Sequence, residues 1–514
     1  MIGFLKSGSL ESGFIVRLSG DVNPETLRIG DFVVINGELY DYFGIIEDLV
    51  ITSSSEDVFF DPPESEYEKE ALKGTFIFSE ALVSPYLMVE KGTGSVVSVK
   101  TIPQHFSPVK KALAEDFAKI FGENVENAFS VGTPLTMEEP IYISLKELSK
   151  RNNAIFGITG SGKTFLARII FSGMIKQNVS SLLIFDMHNE YGRFAKSEDK
   201  KKIKGLKAIF DNKVKVFDVS KKNEDADEFI TIPYKDIKAA DVEMLSTILN
   251  FSDKSAETAF IIERKKGTGW LEYVLSLEGL GEKELAERAE EIGVNASALG
   301  ALVRHLLKFK RLGFIKNTNE ESSVRKILKY LKAGVSVVVQ FSGNAASNPL
   351  AYFTVANVIS RRIHDEFVNM NEEEREKSRV MIVIEEAHKL LSTESKEKNI
   401  FGTIAREMRK FNVTLFIVDQ RPSEIDADVL SQVGTRFVLQ LMDEKDMNAV
   451  FQGVGGGAKL KKILRTLQPR EALVFGYAVR MPIAVRVREY GEEFFKEMKE
   501  GLKIPTDEAE EDLF

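Results

Sequence analysis

Gly157-Ile158-Thr159-Gly160-Ser161-Gly162-Lys163-Thr164 sets two glycines four residues apart and follows them with Lys and Thr. That spacing lets a loop turn its backbone amides inward around phosphate oxygens. Before it, Ala154-Ile155-Phe156 reads as the end of a strand, and after it Phe165 to Lys176 carries apolar residues at helical spacing. A strand, a glycine loop and a helix in that order place the positive helix end, the Lys163 ammonium and the Thr164 hydroxyl around one triphosphate and its Mg2+. Gly160, Ser161, Gly162, Lys163, Thr164 and Phe165 are the residues expected at ATP, with Thr164 also at the metal.

Working outward, Ser181 to Phe185 is an apolar strand ending in Asp186, followed by Met187-His188-Asn189-Glu190-Tyr191-Gly192. Acids at the carboxyl end of such a strand lie where ligands bind in doubly wound sheets; these orient Mg2+ or water, or else cap the loop. A second apolar run, Val380 to Ile384, ends in Glu385-Glu386-Ala387-His388. A hydrolytic phosphate-loop site needs one acid toward the metal and one toward the attacking water, which assigns Glu385 to the metal and Glu386 to the water. The helix expected over Ile404 to Phe411 carries Arg406 and Arg409 on one face, either as fingers reaching a neighbour's γ-phosphate or as partners of acids. The strand Val413 to Asp419 then delivers Gln420, whose amide is suited to sensing both γ-phosphate and water.

The flanking regions differ in character. Residues 1–100 hold short β-rich runs between turn residues, such as Gly13 to Leu18 and Asp31 to Ile35, and read as a small barrel. Residues 101–145 read as a connector with one helix near Val109 to Phe121. The predicted fold is α/β, a RecA-like ATPase core over 146–232 and 333–490, interrupted by a helical insertion over 233–332 and followed at 491–514 by a helix and an acidic tail. Trp270 in the insertion is expected to pack rather than stack on a base. Glu56 to Glu70 and Asn371 to Lys377 read as charged loops.

Composition narrows the function classes. With no Cys among 514 residues, disulfides, thiolate metal sites and cysteine nucleophiles are excluded, and the five His residues are scattered. No apolar run reaches membrane-spanning length and the start lacks a signal-peptide pattern, so a cytoplasmic protein without a membrane segment is expected. The net charge of −9 is unevenly spread: residues 1–100 hold 7 basic and 17 acidic residues, the remainder 62 and 61, five of those acids lying in the final stretch Asp507 to Asp512. A mildly basic body is compatible with a nucleic-acid channel. Lys200 to Lys207 and Gly453 to Lys462, with Lys459, Lys461 and Lys462, are its candidate pore segments.

Taken together, the acidic β-rich start, Asn153 to Thr164, Asp186 to Tyr191, Glu385 to His388 and Gln420-Arg421-Pro422-Ser423-Glu424 resemble the HerA family of DNA-translocating ATPases, relatives of the FtsK motors. The resemblance implies a homohexameric ring on double-stranded DNA, hydrolysing ATP with Mg2+ and working with a NurA-type nuclease in DNA end processing. It also implies that Arg151 and Arg409 reach bound nucleotide or a neighbour's phosphate, and that Arg486 and Val487 lie near the nucleotide. Asp419 departs from the small or hydroxyl residue expected before Gln420. Motors that remodel proteins, or that drive conjugation or secretion, are the alternatives.

Overall fold

The computed structural model describes residues 1–54, 65–72, 76–122, 125–196, 202–249, 251–393, 400–454 and 457–501. Most of the Glu56–Glu70 stretch, Lys200 and Lys201 of one pore candidate, Gly455 and Gly456 of the other, and the tail from Asp507 to Phe514 lie outside these residues; of Lys459 only the helical backbone is described. The chain divides into two units, Met1–Ser144 with Arg436–Arg488, and Leu145–Thr435 with the segment from Glu489.

In the first unit the strands β1 (Gly3–Ser9), β2 (Gly13–Leu18), β3 (Phe32–Asn36), β4 (Tyr40–Ser53), β5 (Ile77–Glu90), β6 (Val96–Ser98) and β7 (Pro108–Lys111) form one antiparallel sheet. Six of them close into a barrel in the order β2-β1-β7-β3-β4-β5, with β5 returning to β2 and β6 lying outside the ring. Closure removes the exposed sheet edges. Leu5, Phe14, Val16, Val33, Ile35, Ile46, Val83 and Val109 fill the interior, each side chain contributing about 1.5–3 kcal/mol by leaving water. The corner at Gly44 requires glycine, because a Cβ there would sit 2.6 Å from the Ser84 carbonyl oxygen.

The connector expectation needs correction. Val109, expected in a helix, is instead on β7 and completes the barrel. The helix begins at Ala114, where the Asp116 carboxylate accepts the Leu113 N–H at 3.1 Å. Ala128–Pro134 and Ile141–Ser144 are also strands; with Glu471–Gly476 and Ile483–Val487 they make a four-stranded antiparallel arrangement inside the first unit. Residues 436–488, assigned by sequence to the ATPase core, therefore group with the first unit.

The second unit holds a seven-stranded parallel sheet in the order Glu228–Phe229, Val214–Asp218, Ser336–Gln340, Ser181–Asp186, Val380–Glu385, Val413–Asp419, Asn152–Phe156. The central strands are buried throughout and read as continuous apolar runs, as expected of a parallel sheet covered on both faces. The phosphate-loop strand lies beside the Asp419 strand, which lies beside the Glu385 strand, a RecA-like arrangement. Register does the positioning: Phe156 pairs with Asp419, Glu385 with Val418, and Asp186 with Gln340. The ends of the strands thus reach one edge of the sheet together.

Between Pro233 and Lys332 the chain leaves this sheet as helices, chiefly Asp253–Lys266, Glu282–Ile292, Ala296–Lys310 and Ser323–Lys332. Trp270 is fully buried there and donates its indole N–H to the Ile237 carbonyl at 2.7 Å. Two expected loops contain helices. Glu66–Leu72 is helical, with Ser65 and Glu68 exchanging backbone-to-side-chain hydrogen bonds at 3.1 and 3.2 Å. Glu372–Lys377 is helical behind an Asn371 cap that accepts the Glu374 N–H at 2.9 Å.

Candidate active site at the phosphate loop

The loop between Phe156 and the helix Lys163–Lys176 depends on backbone that only glycine adopts cheaply: Gly160 has φ +79° and Gly162 φ +107°. Ser161 is buried and donates its hydroxyl to the Ile158 carbonyl at 2.7 Å. Lys163 folds back over the loop, its Nζ donating to the same carbonyl at 2.9 Å. Burial pushes the Lys163 ammonium below its ordinary range, while Glu386, Asp419, Glu385 and Glu190 oppose that shift. Phe165, at the helix start, faces the Tyr490 ring at 6.2 Å.

Glu385 and Glu386 are sequence neighbours in contrasting surroundings. Glu385 is 4% exposed, and its Oε2 is buried without a hydrogen-bond partner among the described residues. Burial, reinforced by Asp186 and Glu190 and opposed by the nearby Tyr191 hydroxyl, raises its carboxyl well above the usual range. Glu386 adopts φ +49°, a strained conformation for a residue with a Cβ. Its two carboxylate oxygens each accept from the Gln420 side-chain amide at 3.2 Å, while the Gln420 carbonyl oxygen accepts from the Thr159 hydroxyl at 2.7 Å. A chain of side chains therefore runs from the phosphate loop through Gln420 to Glu386.

Asp419 has a clear local role. It is 1% exposed and accepts the His388 N–H at 2.8 Å, the His388 ring at Nδ1 at 3.0 Å and the Arg421 N–H at 2.7 Å. The other ring nitrogen of His388 lies 3.8 Å from Glu386 Oε2. A small or hydroxyl residue at 419 could not make these contacts. Sequence reading left His388 among the scattered histidines because its partner is 31 positions away; the unexpected acid before Gln420 was the available signal.

Thr164 donates its hydroxyl to Glu190 Oε2 at 2.8 Å. Arg151 sits ahead of the phosphate-loop strand, with its Nε 3.7 Å from Glu147. The helix expected to carry both Arg406 and Arg409 ends at Glu407 and continues as a 3-10 turn over Met408–Phe411. Both arginines are exposed, and neither bonds the phosphate loop among the described residues. Arg486 and Val487 belong to the first unit, on Ile483–Val487, and Arg486 Nη2 lies 3.5 Å from Glu471.

Residues 129–363, which include the phosphate loop, Asp186 and the helical insertion, match the family model described as Helicase HerA, central domain. These residues are similar to the HerA central domain. Among the relatives of this chain, the DNA double-strand break repair helicase HerA of Sulfurisphaera tokodaii is 27% identical over 409 residues, spanning 75% of this chain and 73% of the relative. The protein of the same name from Pyrococcus furiosus is 23% identical over 458 residues, 80% of this chain and 79% of the relative. Among solved structures, VirB4 of Thermoanaerobacter pseudethanolicus aligns with a TM-score of 0.48 at 13% identity, over 73% of this chain and 99% of that one. Among the described residues no helix is long and apolar enough to cross a membrane.

Proposed function

We propose that this protein is an ATP-driven translocase or helicase that acts as a homohexameric ring on double-stranded DNA, in repair-linked processing of DNA ends with a NurA-type nuclease. The observation that carries the hydrolytic part is the Thr159–Gln420–Glu386 chain, which ties a carboxylate to the phosphate loop through an amide. In this reading the loop amides and Lys163 hold the phosphates, Glu386 takes the proton of the attacking water, and Gln420 orients that water. His388, fixed by Asp419, keeps the Glu386 carboxylate in place. Glu385 and Thr164 would hold Mg2+, a role that fits the unpartnered buried Oε2 of Glu385; when bound, the ion would neutralise charge on the phosphate oxygens. Arg151 and Arg409 would touch bound nucleotide or act on a neighbour's phosphate, and Arg486 and Val487 would lie near the nucleotide on the carboxyl-terminal strand.

The names of the Sulfurisphaera and Pyrococcus relatives support the DNA-repair setting. The test is to measure ATP hydrolysis alone, with double-stranded DNA and with an unfolded polypeptide. Stimulation by DNA is expected. Stimulation by polypeptide alone would replace this reading with that of a protein-remodelling motor.

A further inference from the structure

Glu190 is held with more care than a loop carboxylate needs. Its backbone N–H donates to Asp186 Oδ1 at 2.7 Å, and the N–H of Tyr191 donates to Asp186 Oδ2 at 2.9 Å. Asp186 is fully buried, and Oδ2 also accepts from the Gln340 side-chain amide at 3.0 Å. On the other side, the Glu190 carbonyl receives two hydrogen bonds from Arg168, from Nε at 3.0 Å and from Nη2 at 2.6 Å. Arg168 is 2% exposed and stands one turn beyond Thr164 on the phosphate-loop helix, its guanidinium 5.4 Å from the Phe165 ring and 5.7 Å from that of Tyr490. Both backbone polar atoms of Glu190 are thus fixed, one to the neighbouring strand end and one to the helix that carries Thr164. The carboxylate between them accepts the Thr164 hydroxyl.

A hydroxyl has one hydrogen to give and two lone pairs to offer. By taking the hydrogen, Glu190 fixes the rotor of Thr164 and leaves its lone pairs for a cation. Outer groups that orient a ligand in this way commonly change metal affinity about 10–100-fold when removed.

We propose that Glu190 is a positioning residue for the divalent cation, orienting the Thr164 hydroxyl as a ligand, with Asp186 and Arg168 serving to hold Glu190. This rests on the nucleotide-binding reading of the phosphate loop. The test uses the full chain and fluorescent N-methylanthraniloyl-ADP, titrated in EDTA and then against rising Mg2+. Glu190→Ala should leave affinity in EDTA unchanged and raise the half-saturating Mg2+ concentration about tenfold; Glu190→Gln, whose amide oxygen still accepts the Thr164 hydrogen, should shift it less. Mg2+ titrations that superimpose on the wild type would overturn the proposal. So would an equal loss of affinity in EDTA or an early thermal melt of both variants, since Glu190 would then serve only the shape of the loop. A wild-type protein that binds no nucleotide would instead bring down the reading of the site itself.

Discussion

The Gln420 side chain donates to both carboxylate oxygens of Glu386 at 3.2 Å while its own carbonyl oxygen is held by Thr159 of the phosphate loop. One amide therefore links the residue assigned to water activation with the loop assigned to phosphate. Gln420→Ala should lower the ATP turnover rate about 10–100-fold, a part of what positioned proton transfer supplies, while nucleotide affinity stays within a few-fold of the wild type. Steady-state hydrolysis and equilibrium nucleotide binding check the two halves separately.

Glu386→Gln removes the base and keeps the shape. The expected loss in turnover is about 10²–10⁴-fold, with ATP still bound and trapped on the protein. Single-turnover hydrolysis measures this, and retained turnover would move the role to Glu385.

The Asp419–His388 pair gives a dependence of stability on pH. The hydrogen bond to Asp419 raises the His388 imidazole above its ordinary range, against the opposing effect of burial. A group raised on folding contributes stability that is fully present below the imidazole's unfolded value and lost as pH rises through the higher folded one. His388→Gln should therefore destabilise the protein most at about pH 6, by roughly 1.5–3 kcal/mol as for a hydrogen bond to a charged group. The gap from the wild type should narrow through mildly alkaline pH in thermal or denaturant melts. A gap that widens with pH would contradict the charged pair.

Much of the second unit was legible because its signals are local. The phosphate loop, the run Val380 to Glu385 and the run Val413 to Asp419 each announce a strand end in a few residues, and the RecA-like sheet follows from such parallel, buried strands. Partnerships set by register were not legible. Nothing in the sequence says that Glu190 meets Thr164, or that Asp419 meets His388, until the strands are aligned. The barrel was visible as a class, but β1, with its Lys, Ser and Gly, and β7, only four residues long, carry weak patterns. Pairing of β7 with β1 and β3 is a long-range event that outweighs the local helical pattern around Val109. The grouping of residues 436–488 with the first unit is likewise a matter of tertiary pairing.

Arg409 is exposed in the 3-10 turn after the helix Ile400–Glu407, and the proposed function gives it a role at a neighbour's nucleotide. Arg409→Ala should cost about 10³-fold in hydrolysis if it serves as a finger in trans. Mixing it with Lys163→Ala, which lacks the phosphate-binding ammonium, should restore part of the activity, because mixed rings contain interfaces with both residues intact. No recovery on mixing would place Arg409 outside the shared site.

In the proposed function, hydrolysis at this site moves the protein along duplex DNA. The most direct measurement is displacement of a labelled third strand from a triplex on blunt-ended double-stranded DNA, with ATP and Mg2+, beside Lys163→Ala and Glu386→Gln. Displacement is expected from the wild type, and is expected to be abolished in both variants and by a non-hydrolysable ATP analogue. Steady ATP hydrolysis by the wild type with no displacement beyond that of the variants would contradict it.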